Sequence, residues 1–260
     1  MMPASRTSPL VRARRLLKVA VAGILLGIAL FWGATTLTTP HRTTPLYDPP
    51  VLAGQQIPGY CSGGVYARLG GTIVLTSSPH CGGEGGVIPS QGVVGPEARE
   101  PTCAYAGHTC HASDMNYVVV YPDRIPWGYL NVVDLGVGGY RVLGPDAKAL
   151  TCTDIAIGDN VEMDGRNDYR TGTVEQKGEN LVSPTDDGAY FPCMVHSTVQ
   201  VGPGDSGSVV LVRGIPAGVT SRSFGGSLGF TPLAEGLTEL GLDLCTTPDC
   251  GLVPPAAPTR

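Results

Sequence analysis

Short runs of β-branched and aromatic residues, separated by turns rich in glycine and proline, recur along the chain beyond residue 60. The first two runs, Tyr66–Leu69 and 72–76, flank the pair Gly70-Gly71 and predict a β-hairpin. Further strands are predicted at 117–121, 129–135, 171–174, 194–201, 208–212 and 217–220. This succession of short strands favours an all-β sandwich or barrel over a helical fold.

One stretch near the C-terminus has helical periodicity instead. Leu233, Leu237 and Leu240 recur at helical spacing after Pro232, and proline is common at the start of a helix. We therefore expect one short terminal helix on an otherwise β-rich chain. With 260 residues, 42% of them hydrophobic, the chain can bury a core of ordinary size, as one domain or as one domain built from two halves.

The N-terminal part has the pattern of an export signal. Residues 19–37 contain no charged side chain, and four basic residues within 12–18 stand immediately before them. Such a segment can span a membrane, whereas a cleaved signal peptide has a shorter apolar core and a small-residue cleavage site, for which 32–35 is a weak candidate. We expect a signal anchor with residues 1–18 in the cytoplasm, and a secreted protein is the alternative. The proline-rich residues 38–58 are predicted to be an extended linker outside the cytoplasm.

The charge of the chain changes sign along its length. Every basic residue up to Arg42 precedes the first acidic residue, Asp48. Beyond Arg42, 11 basic residues stand against 22 acidic ones, which gives this part a net charge near −11. Such a surface repels phosphate backbones and mildly favours cationic ligands. We therefore expect no nucleic-acid partner.

Cysteines are present in even number, and all of them follow the hydrophobic segment. They are Cys61, Cys81, Cys103, Cys110, Cys152, Cys193, Cys245 and Cys250. In an exported chain this pattern predicts disulfide bonds. Cys103, His108, Cys110 and His111 also have the residue types of a zinc site, but the last three crowd one tight loop, which is poor spacing for zinc ligands. A Cys103–Cys110 disulfide is therefore favoured over a metal site, and no cofactor is expected.

A glycine-flanked serine precedes one of the predicted strands. In Gly204-Asp205-Ser206-Gly207 the glycines permit turn conformations that other residues avoid, as a nucleophile turn requires, although the same residues also form ordinary turns. His80 and Asp114 each lie at the end of a predicted strand. Nucleophilic acyl transfer needs a hydroxyl, a base and an acid group that orients the base. The order His, Asp, Ser is one of three known orders for such a triad, while each residue taken alone could be structural.

Several segments resemble the motifs of chymotrypsin-like serine proteases. Thr76-Ser77-Ser78-Pro79-His80-Cys81 is similar to the family's histidine motif, and the segment 113–119 resembles the one that carries the family aspartate. Residues 204–207 match the serine motif. Gly218-Val219-Thr220-Ser221 and Phe230-Thr231-Pro232-Leu233 look more like the bacterial streptogrisin and α-lytic branch than the animal one. The similarity extends over about 51–242, most of the exported part.

The resemblance implies a double barrel of two six-stranded halves over residues 59–244, followed by a tail at 245–260. His80 would be the base, Asp114 would orient it, and Ser206 would attack a peptide bond of a protein or peptide substrate. The backbone N–H groups of Gly204 and Ser206 would form the oxyanion hole. The resemblance also implies a Cys61–Cys81 disulfide. Proximity then favours Cys245–Cys250, and elimination leaves Cys152–Cys193.

The chain departs from the family pattern at several positions near the expected site. Pro79 precedes the histidine and could alter the loop that aims it. The substrate pocket is expected to involve Gln200, in place of a family cysteine, together with Ser221, Arg222 and Ser223. Arg222 would narrow this pocket or confer a preference for acidic groups. These departures leave an inactive chymotrypsin-fold binding protein at the cell surface as the alternative to an endopeptidase, and a zinc-stabilised binding module as a third.

Overall fold

Antiparallel strands form most of the regular structure, and a helix follows them near the C-terminus. The computed structural model describes residues 51–57, 61–82, 85, 87–88, 91–96, 104–105, 108–109, 113–166, 168–180 and 191–252. All of them belong to one compact unit, residues 45–260. The predicted anchor at 19–37 lies outside the described residues. Within the described part, no helix has the length and apolar character needed to cross a membrane.

The first half of the unit is a six-stranded sheet. Its strands are β1 (Tyr66–Leu69), β2 (Thr72–Ser77), β3 (Val87–Ile88), β4 (Gly92–Val94), β7 (Asn116–Val120) and β16 (Asp243–Leu244). They lie in the order β16-β1-β2-β7-β4-β3. The predicted hairpin is confirmed, with Leu69 paired to Thr72 across Gly70-Gly71. Its buried side chains, such as Tyr66 and Leu75, pack into the first core.

The second half is a closed barrel. Its strands are β10 (Asn160–Met163), β11 (Arg170–Asn180), β12 (Phe191–Gln200), β13 (Val209–Val212), β14 (Ile215–Phe224) and β15 (Ser227–Pro232). They close in the order β10-β11-β12-β15-β14-β13. Inward-facing residues such as Val195, Val210 and Phe230 fill this barrel with a second core. The prediction of two six-stranded halves is thus confirmed in strand number, but among the described residues only the second half closes.

Two small hairpins and the helix complete the described structure. The hairpins are β5 (Ala104–Tyr105) with β6 (His108–Thr109), and β8 (Val132–Asp134) with β9 (Tyr140–Val142). Helix α1 spans Leu233–Leu240, where helical spacing of leucines predicted it, and ends at Gly241 in the left-handed conformation. Leu233 and Leu237 bury their side chains in the first core.

Both ends of the described chain belong to the folded unit. Val51, Ala53 and Ile57 are buried, so the fold includes residues that were predicted to be linker. At the other end, Cys245 is buried and its amide donates to the Tyr66 carbonyl. At both ends, burial of apolar side chains in the first core holds the chain in the folded unit. At the N-terminal end this burial outweighs the tendency of proline-rich sequence to remain an extended linker.

Disulfides connect three of the predicted cysteine pairs. Cys61–Cys81, Cys152–Cys193 and Cys245–Cys250 are bonded. The first lies in the sheet half and the second spans the barrel from the segment before β10 to β12. Cys103 and Cys110 lie outside the described residues, so their predicted disulfide stays a prediction.

Strand lengths differ from the prediction mainly in the barrel. Strands β11, β12 and β14 extend beyond the apolar cores that predicted them, because backbone pairing in a closed barrel carries polar residues such as Glu175 into the strands. The segment 129–135 is shorter than predicted. Its first residues form a turn whose Leu130 amide donates to the Pro248 carbonyl, which leaves Val132–Asp134 as strand.

Candidate active site

His80 and Ser206 are in hydrogen-bond contact although 126 residues separate them in the chain. The Nε2 atom of His80 lies 2.6 Å from the Oγ atom of Ser206. For Nε2 to accept the serine proton, the proton of the neutral ring must be on Nδ1. A hydroxyl beside an imidazole nitrogen is the pairing that activates a serine nucleophile. The structure therefore brings together the two residues predicted as nucleophile and base.

The turn that carries Ser206 depends on its flanking glycines. Gly204 has a φ of +95° and Gly207 a φ of +81°, which residues with side chains rarely adopt. A Cβ atom on Gly207 would lie 2.4 Å from the carbonyl oxygen of Ser62. Ser62 also holds the turn, because its amide donates to the Ser206 carbonyl at 2.8 Å and its hydroxyl to the Gly204 carbonyl at 3.0 Å. Ser206 is thus positioned by contacts from both halves of the chain.

Asp205, the residue before Ser206, is buried in an ion pair. Its Oδ2 atom lies 3.1 Å from Nη1 of Arg170 and accepts the Gly202 amide at 2.9 Å. Pairing of this kind stabilises a carboxylate that has left water. Because Arg170 begins β11, the pair attaches the serine turn to the barrel wall. Sequence reasoning missed Arg170, since nothing local links a strand residue to a turn 35 positions away.

A 3-10 turn, Pro79–Cys81, presents the histidine. Pro79 starts this turn, where its missing N–H is not needed, and Ser78 before it is extended with φ −98° and ψ 141°, as expected for a residue that precedes proline. The Cys61–Cys81 disulfide fixes the end of the turn. Pro79 is therefore accommodated, and the contact between His80 and Ser206 forms with the proline in place.

The other ring nitrogen of His80 has a hydroxyl partner. The Oγ atom of Ser78, a buried residue that directly follows β2, lies 3.0 Å from Nδ1. With the ring proton on Nδ1, this hydroxyl accepts it and fixes the tautomer in which Nε2 faces Ser206 as an acceptor. Ser78 was absent from the predicted site. A hydroxyl two residues before the histidine is the sequence signal that could have indicated it.

Asp114 lies at the same end of the first sheet but contacts a different residue. Ser77 at the end of β2 pairs with Asn116 at the start of β7, so His80 and Asp114 both follow closely beyond this pair. The Asp114 Oδ2 atom is 3.3 Å from Nε of Arg222, and 13% and 12% of the two side chains are exposed, so solvent screens the pair little. Among the described residues, no hydrogen bond or ion pair joins the Asp114 carboxylate to His80.

A β-bulge determines where the Arg222 side chain points. The register between β14 and β15 shifts between Thr220 and Arg222, and bulges of this kind redirect side chains beside active sites. The Arg222 guanidinium carbon lies 4.8 Å from the centre of the Phe191 ring, in a cation–π contact.

Farther along β14, Phe224 stacks on His196 with 3.9 Å between ring centres. Burial lowers the pKa of His196, and Glu175 opposes this effect.

A cavity of about 380 Å³ opens beside Ser206. It is lined by His80, Val201, Gly202, Pro203, Ser206, Thr220, Ser221, Arg222 and Ser223. Three of the four predicted pocket residues are therefore present. Gln200 is not among them, because its side-chain amide turns to the Ser227 hydroxyl at 3.2 Å and leaves the wall to the next three residues.

The predicted oxyanion donors are placed on the serine turn. Among the hydrogen bonds between described residues, the amides of Gly204 and Ser206 donate to no protein group, unlike those of Asp205, Gly207 and Ser208. Both N–H groups are thus available to a substrate oxygen. The zinc alternative remains untested, because Cys103, Cys110 and His111 lie outside the described residues. In the part of the chain that is described, no group of three or more potential metal ligands occurs.

Comparison with known proteins identifies the fold. No protein-family model and no curated protein matches the sequence. Among solved structures, Thermobifida fusca protease A matches with a TM-score of 0.57 and 23% identity over 75% of this chain and 97% of that one. Cellulomonas bogoriensis chymotrypsin matches with 0.56 and 22% over 76% and 99%, and Nocardiopsis protease with 0.57 and 21% over 75% and 98%. These neighbours are bacterial serine endopeptidases, and the chain has the chymotrypsin-like fold that they share.

Proposed function

We propose that the protein is a serine endopeptidase with Ser206 as nucleophile and His80 as general base. The 2.6 Å contact between Ser206 Oγ and His80 Nε2 carries the proposal. Three further observations support it: the left-handed glycines on both sides of the serine, the open cavity beside it and the fold shared with serine proteases.

The reaction follows from this geometry. Ser206 Oγ attacks the scissile carbonyl while His80 Nε2 takes its proton. The amides of Gly204 and Ser206 donate to the developing oxyanion, where loss of one donor costs about 100- to 1,000-fold in rate. His80 then gives the proton to the leaving amine, and an acyl-enzyme on Ser206 remains. Water activated by the same imidazole hydrolyses that ester and restores the serine.

Asp114 is assigned the orienting position of the triad. Its place beyond the Ser77–Asn116 pair, at the end of the sheet that also presents His80, supports the assignment. A carboxylate there would stabilise the imidazolium that forms during catalysis, which the neutral Ser78 hydroxyl does less well.

The proposed location is outside the cytoplasm. The basic residues before 19–37 and the disulfides of the folded unit support export, since disulfides persist in oxidising compartments. We assign residues 19–37 as a signal anchor that leaves the protease unit on the outer side, and cleavage of this segment would give a secreted form.

A fluorophosphonate probe tests the enzyme proposal. The ectodomain with intact disulfides should be labelled at Ser206, and Ser206→Ala should not be labelled. His80→Gln should lower the labelling rate by about a hundredfold or more, because the general base is lost. Ser227→Ala, on a barrel hairpin, serves as a matched serine control and should label normally. Absence of labelling under conditions that label trypsin would contradict the proposal.

A binding protein with an inactive site is the competing function. The partners of His80 and Asp114 favour it, since a hydroxyl faces Nδ1 and Arg222 holds the carboxylate. In that case Ser206→Ala would retain the full biological effect of the protein, whereas loss of effect supports catalysis.

A further inference from the structure

Arg222 takes part both in the cavity beside Ser206 and in an ion pair outside it. It lines the cavity beside Ser206, and its guanidinium is ion-paired with Asp114. The face of Phe191 supports the same guanidinium at 4.8 Å, which fixes its position between cavity and carboxylate. A carboxylate that binds this guanidinium from the cavity therefore weakens the electrostatic attraction between Arg222 and Asp114.

The cavity differs in charge from the rest of the surface. The chain beyond Arg42 carries 22 acidic and 11 basic residues, yet no acidic residue is among those that line this cavity. The lining residues with polar side chains are His80, Ser206, Thr220, Ser221, Arg222 and Ser223, and Arg222 is the one cation among them. Because only 12% of the arginine side chain is exposed, its charge is weakly screened. A cavity of this composition accepts a carboxylate more readily than an ammonium group.

We infer that Arg222 selects substrates with an acidic side chain next to the scissile bond, and that binding of this side chain releases Asp114. The inference rests on the proposed protease function. A substrate carboxylate in the cavity pairs with the guanidinium and takes the place of Asp114. The Asp114 backbone stays fixed, since its amide donates to Thr231 Oγ1 at 2.8 Å, and its side chain turns toward His80.

This exchange couples recognition to catalysis. Before substrate binds, Ser78 holds Nδ1 and the orienting carboxylate is engaged elsewhere. An acidic substrate supplies the carboxylate that Arg222 loses, so Asp114 becomes available to stabilise the imidazolium. A neutral substrate of the same shape leaves Asp114 on Arg222. The preference therefore affects kcat as well as KM, because Asp114 is available to His80 with the acidic substrate and remains paired with Arg222 with the neutral one.

Paired peptide anilides that differ only in glutamate or glutamine before the cleaved bond test the inference. For the native protein we expect kcat/KM to be about tenfold or more higher with glutamate, as for a hydrogen bond to a charged group. In Arg222→Gln the ratio should fall to about one and kcat on the glutamine substrate should rise, since Asp114 loses its cation. Arg222→Lys should keep part of the preference.

Controls separate this role from a structural one. Arg213→Gln removes an arginine that pairs with Asp159 at the opposite end of β14, and should leave the ratio unchanged. If Arg222 were merely structural, both substrates would lose activity in parallel in Arg222→Gln, and the ratio would persist.

Binding to the inactive Ser206→Ala protein gives a second readout that needs no turnover. The glutamate peptide should bind more tightly than the glutamine peptide, and Ser206→Ala/Arg222→Gln should bind both alike. Equal binding to Ser206→Ala overturns the inference even when fluorophosphonate labelling supports the protease. If the native protein is not labelled but Ser206→Ala still binds the glutamate peptide more tightly, the enzyme proposal is contradicted and the recognition role of Arg222 is supported.

Discussion

The carboxylate of Asp114 lies 3.3 Å from the guanidinium of Arg222, at the end of the sheet that also presents His80. The imidazole is meanwhile held by the Ser78 hydroxyl at 3.0 Å. His80 Nδ1 and the Asp114 carboxylate thus each contact a different residue and not one another.

Removal of the Ser78 hydroxyl should weaken the base on substrates that do not release Asp114. A hydrogen bond of this kind contributes about 0.5–1.5 kcal/mol, or roughly two- to twelvefold in rate. Ser78→Ala should therefore lower turnover of the glutamine substrate by this factor and affect the glutamate substrate less. Steady-state kinetics on both substrates measures the difference, and an equal loss on both would show that Ser78 remains the partner throughout.

Breaking the buried pair behind the serine turn should destabilise the protein. Arg170→Met leaves the Asp205 carboxylate, of which 1% is exposed, without that cation. The expected cost is about 3 kcal/mol, at the lower end for a buried pair because Arg170 is partly exposed. Guanidinium unfolding with intact disulfides measures it. Arg170→Met/Asp205→Asn should recover much of the loss, and no loss in the single variant would count against the pair.

Gly207 should be intolerant of any side chain. In Gly207→Ala the new Cβ would meet the Ser62 carbonyl at 2.4 Å, so the turn must shift and labelling of Ser206 should collapse. The matched control is Gly70→Ala, at a φ of +57° with nothing within 4 Å, which should cost about 1–2 kcal/mol of stability and leave labelling intact. Comparable labelling of the two variants would argue against a rigid serine turn.

His196 should make the barrel less stable in mild acid. Burial lowers its pKa below the ordinary value of 6.5, so the folded state resists the proton that the unfolded state accepts. The contribution of the neutral ring to the free energy of unfolding is therefore fully present above about pH 6.5. It is lost as the pH falls below that value and through the lowered pKa of the folded state. Unfolding midpoints at about pH 7.5 and pH 5 should differ less in His196→Gln than in the native protein. An identical pH dependence in both proteins would show that His196 does not cause the loss of stability in acid.

Sequence patterns predicted the strands, the helix and the serine turn because these depend on local signals. Runs of β-branched and aromatic residues predicted the strands, leucine spacing predicted the helix, and the glycines on both sides of Ser206 predicted the turn at 204–207, where the structure gives Gly204 and Gly207 positive φ. These features arise within a few residues of the chain, where turn chemistry and side-chain periodicity act.

The partners of the site could not be derived in the same way. The contact between Asp114 and Arg222 depends on a bulge in β14 that shifts the register by one residue. The amino-acid composition of this strand does not indicate the bulge. Gln200 was expected in the pocket because it stands where the family has a cysteine beside the pocket, but in the bulged pairing of β12 with β15 its side-chain amide donates to Ser227. Long-range register therefore decides which polar groups meet.

Strand β16 gives the histidine-bearing half an unusual dependence on the end of the chain. It pairs with β1, and Leu233, Leu237 and Cys245 fill the same core as β1 and β2. During synthesis, β1 and β2 are made long before these residues are. The sheet that positions His80 is therefore completed only after all the barrel strands have been made, and a protein truncated before residue 243 would carry His80 on an unfinished sheet while retaining every residue of the proposed triad.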